Sequence, residues 1–476
     1  MWTSIARRVR APGTMPNARD PGLSASHKWV VLAISLGTTL APLNSTMIAV
    51  ALPRIQSDLD VSITQTSWLV TIYLVAMAVG QPIGGRFGDL FGRRSVYLLG
   101  LVWFGFASAA CAFAPNLTIL IIFRTQQALA GALTFPNGAA IVREAVPAGQ
   151  RGLAFGIVGM TTAIAAAIGP PLGGVLVHAF GWQAIFWANV PIIVIALALN
   201  LRHLPRTVVT RTERGPFDKT GTLLFASSLA SFILIPTVLH LDRQLLALGS
   251  AALSIVLGLA FVLRELRIPA PVVDIRLFSQ QIFAAACASI ALTNLVMYTT
   301  LLALPLYMDR VRGYNEQFVG LTLMSLSAMA AFWGPIGGKI TDTRGNWLPA
   351  VFGATAFFAG IAMLAGLIGG DLLWPLIVAL ALMGLGLGIQ GAPVQTAALE
   401  SAPVSRAGSA AGIFSTSRYI GSVIGTTILA IVFVTDPAPG DSAAFSWLFA
   451  GLTVVAFAAI LVNARIGSRT MNPSAK

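Results

Sequence analysis

The sequence predicts an all-α integral membrane protein: two six-helix bundles with pseudo-two-fold symmetry plus two inserted helices, about fourteen transmembrane helices in total. Composition, segment length and an internal repeat lead to this prediction. Hydrophobic residues make up 56% of the chain and charged residues only 10%, whereas soluble domains carry about 25% charged residues. Apolar segments of about 20 residues match the length of a helix that crosses a bilayer core, and in lipid such a segment has to be helical.

The apolar segments also predict the domain organisation. The predicted spans are 29–50, 65–86, 95–114, 117–142, 152–178, 183–201, 220–241, 244–263, 281–307, 315–338, 347–369, 372–398, 407–433 and 444–464. They give an N-terminal tail (1–28), a first bundle (29–201), loops with two inserted helices (202–280), a second bundle (281–464) and a C-terminal tail (465–476).

The positive charges lie almost entirely on one predicted side of the membrane. If the N-terminus is inside, 24 of the 30 lysine and arginine residues fall in inner tails and loops, while the 17 acids are nearly balanced. This is the positive-inside pattern. It predicts a multi-pass protein of the plasma or inner membrane with both termini in the cytoplasm, and it explains the net charge of +13 without a nucleic-acid partner.

Two patterns recur at nearly the same offset, of 253 and 256 residues. They are Gly85-x-x-x-Asp89-x-x-Gly92 with Gly338-x-x-x-Asp342-x-x-Gly345, and Glu144-x-x-Pro147 with Glu400-x-x-Pro403. Two independent repeats indicate two homologous halves. In carriers built this way the substrate site lies between the halves, near the bilayer midplane.

The first of these patterns lies in segment 85–94, which is predicted to join spans 2 and 3 on the inner face. Gly85 and Gly92 permit a tight turn and close helix contact. Asp89 can pair with neighbouring cations, or lie at the positive N-terminus of a helix. Arg93 of the same segment is a further candidate transport or gating residue. A plain cytoplasmic turn is the alternative, which the second copy at Asp342 makes less attractive.

Segment 85–94 resembles the signature loop of the major facilitator superfamily, and 338–345 lies where that superfamily often repeats it. Further stretches resemble its fourteen-helix drug–proton antiporter branch: 43–53 in span 1, 124–127 in span 4, 169–174 in span 5 and 182–191 at the start of span 6. The likeness covers nearly the whole membrane region. It implies a carrier that works by alternating access, with the Asp89 loop stabilising the outward-open state.

Segment 169–174 has a physical interpretation of its own. Pro170 frees a carbonyl one turn back and bends span 5. Gly169 and Gly173, followed by Gly174, allow another helix to approach closely. Such a helix suits a seal between the two halves, and the resemblance implies that the seal blocks leak; ordinary helix packing is the alternative.

Two arginines, Arg124 and Arg418, fall inside predicted spans, where an arginine costs about 2.5–3.5 kcal/mol on insertion scales. We expect them to face a cavity or a partner, unless they snorkel to an interface. Arg124 and Gln127 belong to the stretch that resembles the arginine motif of the antiporter branch. With no acid in the interior of any predicted span, the two arginines suggest an anionic substrate.

The first-helix motif usually carries an acid where this chain has Asn44. Proton coupling needs a titrating group in the transport path. Three possibilities stay open: coupling through groups at the inner mouth such as Asp89 or Glu144, a different driving ion, or an uncoupled carrier.

Polar and amphipathic side chains within the spans are candidates for a substrate cavity. They are Asn44, Asn137, Asn294, Tyr298, Trp333, Gln390, Gln395 and Arg418. Each is as readily explained as a polar contact between helices.

The predicted function is efflux of amphipathic drugs or metabolites, with proton antiport as the coupling that the resemblance implies. The alternatives are an organic-anion carrier with weak or no proton coupling, and a non-transporting receptor or scaffold. The expected partners are membrane lipid, a small solute and protons, in a monomer. We find no pattern for a catalytic site, a cofactor or a metal.

Overall fold

Long helices form almost all of the described chain. The structure, a computed structural model, describes residues 23–205, 218–239, 243–269, 271–314, 316–368, 373–433 and 442–467. The helices are α1 (Ala25–Leu59), α2 (Ile63–Phe91), α3 (Arg93–Ala112), α4 (Leu117–Ala145), α5 (Arg151–Phe180), α6 (Ala184–His203), α7 (Lys219–Leu239), α8 (Gln244–Arg267), α9 (Gln281–Arg310), α10 (Glu316–Arg344), α11 (Trp347–Leu367), α12 (Leu373–Ser401), α13 (Ala407–Val432) and α14 (Ala443–Ala464). No described residue is in a strand, and the predicted fold class is confirmed.

Twelve of these helices are long and apolar enough to cross a membrane, counting only the described residues. The other two are α7, whose apolar stretch is the shorter segment Lys219–Ile235, and α13. α13 is rich in glycine, serine and threonine, and its residues 407–416 are all buried in the protein. A helix that faces protein has less need of apolar side chains than one that faces lipid.

Several helices run past the ends of the predicted spans. α1 continues to Leu59, where Asp60 caps it with a φ of 51°. α2 continues to Phe91, so the loop predicted over 85–94 is wrong except for a single turn residue, Gly92. Hydropathy marks only the part of a helix that lies in lipid, whereas backbone hydrogen bonds carry the helix on into water.

The internal repeat is visible in the backbone. Gly92 and Gly345, the turn glycines of the two loop copies, both adopt positive φ, 94° and 78°. Pro147 and Pro403 precede equivalent short 3₁₀ turns, with φ and ψ of −55° and 148° in one and −57° and 147° in the other. These turns lead directly into α5 and α13.

Helix packing follows the same scheme in both halves. In the first half α1 packs against α5 and α6, α4 against α2 and α3, and α3 against α6. In the second half α9 packs against α13 and α14, α12 against α10 and α11, and α11 against α14. The contacts within α1–α6 and within α9–α14 are therefore equivalent, and we refer to these two sets of helices as the first and the second half.

The halves meet through two equivalent helix pairs, α5 with α10 and α2 with α13. At these crossings glycines let the backbones touch. A Cβ atom on Gly85 would overlap the carbonyl of Gly408, and a Cβ atom on Gly338 would overlap that of Gly152. We call the end of the bundle that carries the Gly92 and Gly345 turns the basic end.

The inserted helices α7 and α8 form a hairpin that packs against α2 and α13. The Ser228 and Ser254 hydroxyls each donate to the other residue's carbonyl oxygen, at 2.8 and 2.9 Å. At the hairpin's base Arg264 bonds to Asp218 at 2.9 Å and holds the pKa of that carboxyl below its usual value. Large apolar side chains of α8 are exposed, as in Leu245 at 85%, which suits a helix facing lipid.

Some predicted segments lie outside the described residues. These are residues 1–22 and 468–476 of the tails and residues 206–217 of the loop between α6 and α7. The predicted ends at 240–241, 315, 369 and 372 also fall there.

The glycine contacts between the halves can be tested by adding one methyl group. We expect Gly338→Ala to lower the thermal unfolding midpoint of the detergent-purified protein, because the new Cβ meets backbone that cannot rotate away; overpacking typically costs about 1–3 kcal/mol. The matched control is Gly391→Ala in α12, where a Cβ meets nothing within 4 Å and helix propensity favours alanine by about 1 kcal/mol. Equal midpoints for both variants would contradict the contact.

Candidate functional site

Asp89 lies at the centre of a contact between the two halves. Its Oδ1 accepts hydrogen bonds from Gly408 N at 2.9 Å and from Arg93 Nη2 at 2.9 Å. Its Oδ2 accepts from the backbone N and the hydroxyl of Ser409, at 2.8 and 2.7 Å. Asp89 therefore both pairs with a cation of its own half and occupies the N-terminus of α13 in the other half.

Helix chemistry explains why a carboxylate lies there. The first backbone N–H groups of a helix have no partner within the helix, and the aligned peptide dipoles make that end positive. α13 begins at Ala407, so Gly408 and Ser409 supply two of these free donors. Hydrogen bonds to a charged acceptor are about twice as strong as neutral ones.

Arg93 extends the contact in two directions. Its guanidinium also bonds to Glu144 at the end of α4, and Nη2 donates to the carbonyl oxygen of Val404 in the other half, at 2.7 Å. The side chain is only 4% exposed. Two carboxylates and a carbonyl thus neutralise and solvate a buried cation, the condition under which burying a charge is tolerated.

Asp342 repeats the arrangement from the second half. Its Oδ1 and Oδ2 accept hydrogen bonds from Gly152 N at 2.7 Å and Leu153 N at 2.8 Å. These donors lie in the first turn of α5, which begins at Arg151. Each half therefore caps a helix of the other, and we call the pair of contacts around Asp89 and Asp342 the reciprocal latch.

Two further arginines form bonds between the halves at the basic end. Arg143 donates to the carbonyl oxygen of Ala402 at 2.6 Å, and Arg151 pairs with Glu400 at 3.2 Å. Both bonds join the halves. Sequence analysis did not select these residues as site residues, although the repeat of Glu144-x-x-Pro147 at Glu400 was the signal that marked this region.

Two glycines of segment 169–174 pack against α1 of the same half. Gly169 packs against Thr46 and the Leu43 carbonyl of α1, and Gly173 packs against Met47 of α1. The close approach predicted for these glycines occurs, but within the first half, and their role in a seal between the halves stays a prediction. The α5 glycines that face the other half are Gly152 and Gly156, one turn apart near the start of the helix.

The neighbouring Pro170 and Gly174 have little contact with α1. Pro170 is exposed, and α5 continues through it to Phe180 without a break. A Cβ on Gly174 would meet only Val50, at 3.9 Å.

Arg124 is completely buried in the first half. Its guanidinium lies 4.1 Å from the centre of the Tyr73 ring and donates to the side-chain oxygen of Gln127. Gln127 in turn donates to the Ser108 hydroxyl at 2.6 Å, and Asn189 reaches the same hydroxyl at 3.4 Å. Arg124 therefore has partners, a ring and an amide, and does not snorkel to an interface.

Arg418 lies between the halves. It belongs to α13, and its guanidinium is 5.1 Å from the centre of the Phe135 ring of α4. Its side chain is partly exposed, and its buried Nε has no hydrogen-bond partner. The adjacent Tyr419 packs against the first-half cluster that contains Tyr73, and Tyr298 of α9 lies within electrostatic range of Arg418.

Among the remaining predicted cavity residues, three make helix–helix or intrahelical contacts. Asn137 donates to the Gly84 carbonyl of α2 at 2.8 Å, so it joins two helices. Gln390 accepts from Asn463 of α14 at 3.4 Å. Asn294 donates to the carbonyl of Ile290 in its own helix at 2.8 Å. For Asn137 and Gln390 the alternative interpretation, polar contact between helices, is the one that the geometry favours.

Other predicted cavity residues have buried polar side-chain atoms without a hydrogen-bond partner among the described residues. Both side-chain amide atoms of Asn44 are in this state, and so is the indole nitrogen of Trp333. Gln81 of α2, which sequence analysis did not select, has two such atoms as well. Gln395 is 9% exposed. Unpartnered polar atoms in a buried region are candidates for contact with a ligand or water.

The two intramembrane arginines should respond differently to removal of charge. Arg124→Met leaves the Gln127 oxygen buried without a donor, which typically costs about 1–3 kcal/mol, so we expect a lower thermal unfolding midpoint. Arg418→Met removes a cation whose side-chain contact, among the described residues, is the aromatic ring of Phe135, so its midpoint should stay close to that of the unmodified protein. Thermal unfolding in the same detergent checks both, and equal losses would contradict the difference in burial.

Comparison with known proteins agrees with this geometry. The model of the Major Facilitator Superfamily matches residues 34–426. The multidrug resistance protein Stp of Mycobacterium tuberculosis is 32% identical over 84% of this chain and 75% of its own. The riboflavin transporter RibZ of Clostridioides difficile is 30% identical over 85% and 88%.

A solved structure shows the same fold. The human organic anion transporter MFSD10 superposes with a TM-score of 0.68 over 91% of this chain and 99% of its own, at 16% identity. A likeness at this identity supports the fold alone. Together with the match to the family model over most of the sequence, it shows that the chain belongs to the major facilitator superfamily, whose members are membrane transporters and not enzymes.

Proposed function

We propose that the protein exports amphipathic drugs or metabolites by alternating access. The observation that carries the proposal is the reciprocal latch, which joins the halves at one end through hydrogen bonds and glycine contacts. A carrier needs two states in which the halves rock about a central site. Relatives named for multidrug resistance and riboflavin transport support a small organic solute.

The charge distribution supports an orientation. The positive-inside rule assigns the basic end, and with it both termini, to the cytoplasm. With that end closed by the latch, the conformation described here would be the one that faces outward. We propose that breaking the latch opens the cytoplasmic side, where a solute for export enters a monomeric carrier of the cell membrane.

The chemistry between the halves supports the choice of solute. Tyr419 and Tyr73 pack in one cluster, Tyr298 lies near Arg418, and Phe135 contacts the same guanidinium. Aromatic rings with polar edges suit ligands that are apolar with a few polar groups. A receptor or scaffold would need neither this lining nor a latch that can open.

Proton antiport is the coupling that we propose for this export. Asn44 does not titrate, so the group that couples to protons has to lie elsewhere. The carboxylates of Asp89 and Glu144 share Arg93 at the basic end, among the bonds that hold the halves together.

An organic-anion carrier with weak or no proton coupling is the second candidate. It is favoured by Arg418, a partly exposed cation between the halves whose described contact is a ring and not a carboxylate. A carboxylate or sulfonate on the solute could supply the missing counter-charge.

The role of the latch predicts the effect of Asp89→Asn. The amide has nearly the shape of the carboxylate but loses its charge, so its bonds to the α13 N-terminus and to Arg93 weaken. We expect transport per molecule to fall about tenfold, the equivalent of about 1.4 kcal/mol, while the amount of folded protein in the membrane stays nearly unchanged. Dye efflux from cells, divided by the protein level on a blot, measures it.

Asp58→Asn is the matched control for this variant. Asp58 is a surface residue near the end of α1, where it pairs with the exposed Arg54 at 3.0 Å and accepts a long hydrogen bond from the neighbouring Ser57 hydroxyl at 3.5 Å. Surface pairs of this kind contribute little, so transport should be unchanged. Equal transport per molecule by Asp89→Asn and the unmodified protein would refute the latch as part of the transport cycle.

Liposomes distinguish the two candidate functions. Purified protein is tested with a neutral or cationic dye and with a carboxylate dye, with and without an imposed pH gradient. The export proposal expects uptake of the first dye driven by the gradient. The second candidate expects transport of the carboxylate dye without a gradient, reduced about tenfold or more by Arg418→Gln because the charge-assisted bond is lost. No transport of either dye, with protein that is folded and oriented, would count against both.

A further inference from the structure

The two contacts of the reciprocal latch differ in the number of hydrogen bonds that their aspartates accept. Asp89 accepts five hydrogen bonds, from Arg93, Gly408 and Ser409. In the described part of the chain Asp342 accepts two, from Gly152 and Leu153. Because the repeat superimposes one half on the other in sequence, the missing donors can be identified by position.

Two substitutions between the repeats account for the difference. The offset of 253 residues relates Arg93 to Asn346, so the second half has a short neutral side chain where the first has a guanidinium. The offset of 256 residues relates Ser409 to Leu153, which removes the hydroxyl donor. Both acids of the first half have counterparts, since Asp89 corresponds to Asp342 and Glu144 corresponds to Glu400.

A cavity is present where the guanidinium is missing. It has a volume of about 400 Å³, and Asp342, Glu400 and Asn346 lie in its wall. In the first half Arg93 bonds to both acids. Among the described residues of the second half, Glu400 pairs with one arginine, Arg151 of the opposite half, at 3.2 Å, and Asp342 accepts from backbone donors only.

A second feature of the wall points to a ligand. Thr396 is 3% exposed and lines the cavity, and its hydroxyl has no hydrogen-bond partner among the residues that the structure describes. Threonines in helices commonly bond to a carbonyl one turn back, as Thr341 of the same wall does to Gly337 at 2.9 Å. The residue that corresponds to Thr396 in the first half is Ala140. The second half therefore has the Thr396 hydroxyl, which no described donor uses, and lacks a counterpart of Arg93. The first half has Arg93 and, in place of Thr396, an alanine without a hydroxyl.

We propose that this cavity, called the second-half cavity, binds a small organic cation of the guanidinium type. A planar group with several N–H donors matches two carboxylates and a hydroxyl, as Arg93 matches Asp89 and Glu144. In the described residues no cluster of three or more histidine, cysteine and acidic side chains occurs, so an organic cation suits the site better than a metal ion.

Binding there has a conformational consequence. Asp342 and Glu400 of the second half are both bonded to the first half, through Gly152, Leu153 and Arg151. The position of these two acids therefore depends on bonds that exist only while the basic end is closed. A cation bound between them would occupy a site that is complete only in that state. A ligand that prefers one state shifts the population toward it, so the cation would stabilise the closed basic end whatever the transported solute is.

Calorimetry on the full-length protein in detergent tests the site, with methylguanidinium chloride as the ligand and tetramethylammonium chloride at equal ionic strength as the reference. We expect saturable binding of methylguanidinium alone, weakened about tenfold or more by Glu400→Gln or by Thr396→Val, each of which removes one acceptor. If methylguanidinium and tetramethylammonium bound with the same affinity, the effect would be one of ionic strength alone, and the proposal would be overturned. Binding of Mg²⁺ that displaces methylguanidinium would overturn the assignment to an organic cation.

Asn346→Arg provides the sharpest variant, because it restores the guanidinium that the first half contains. It should raise the thermal unfolding midpoint and abolish methylguanidinium binding. The matched control, Thr343→Arg, places the same charge at an exposed position of the same end of the bundle and should bind as the unmodified protein does. Unchanged binding by Asn346→Arg, or equal loss in Thr343→Arg, would refute the site. If Asn346→Arg does not fold, Thr396→Val decides the question, since that change keeps the shape of the side chain.

Discussion

A carboxylate at the N-terminus of a helix in the opposite half is the interaction on which this conformation depends. It occurs twice, with Asp89 on α13 and Asp342 on α5. The interaction is specific, because it needs free N–H donors at one place, but it is not costly to break. When the halves separate, water replaces the donors and the acceptors, so each hydrogen bond to a charged group contributes a net of only about 1.5–3 kcal/mol, less than its strength in an apolar medium. A carrier needs contacts of this kind, since its two states have to be close in free energy.

Glycine makes the latch geometrically possible. Asp89 reaches Gly408 N only because Gly85 lets α2 touch the start of α13, and Gly338 and Gly152 do the same for Asp342. Backbone contact of this kind gains dispersion energy over a small area. An interface of large apolar side chains would bury more area and would expose it to water each time the halves part.

Sequence patterns predicted the fold, the two latch aspartates and the kinds of partner that Asp89 has, but not which helix supplies the N-terminus. Composition and segment length locate helices in lipid, and the repeat identifies related halves, because both are properties of the chain itself. Asp89 was predicted to pair with a cation or with a helix N-terminus, and it does both. That the N-terminus belongs to α13 depends on how the bundles dock, which no local pattern records. For the same reason Gly169 was predicted as part of a seal between halves, whereas its contact is α1.

The two intramembrane arginines differ in what happens to them when the halves move. The partners of Arg124, Tyr73 and Gln127, belong to its own half, so its surroundings can travel with it. The ring over Arg418 belongs to Phe135 of the opposite half, so the proposed alternating-access cycle would separate Arg418 from it. The free energy of a cation in a membrane protein depends strongly on what replaces water around it. Whatever lies beside Arg418 when Phe135 moves away, whether water or a solute, therefore enters directly into the balance between the two states.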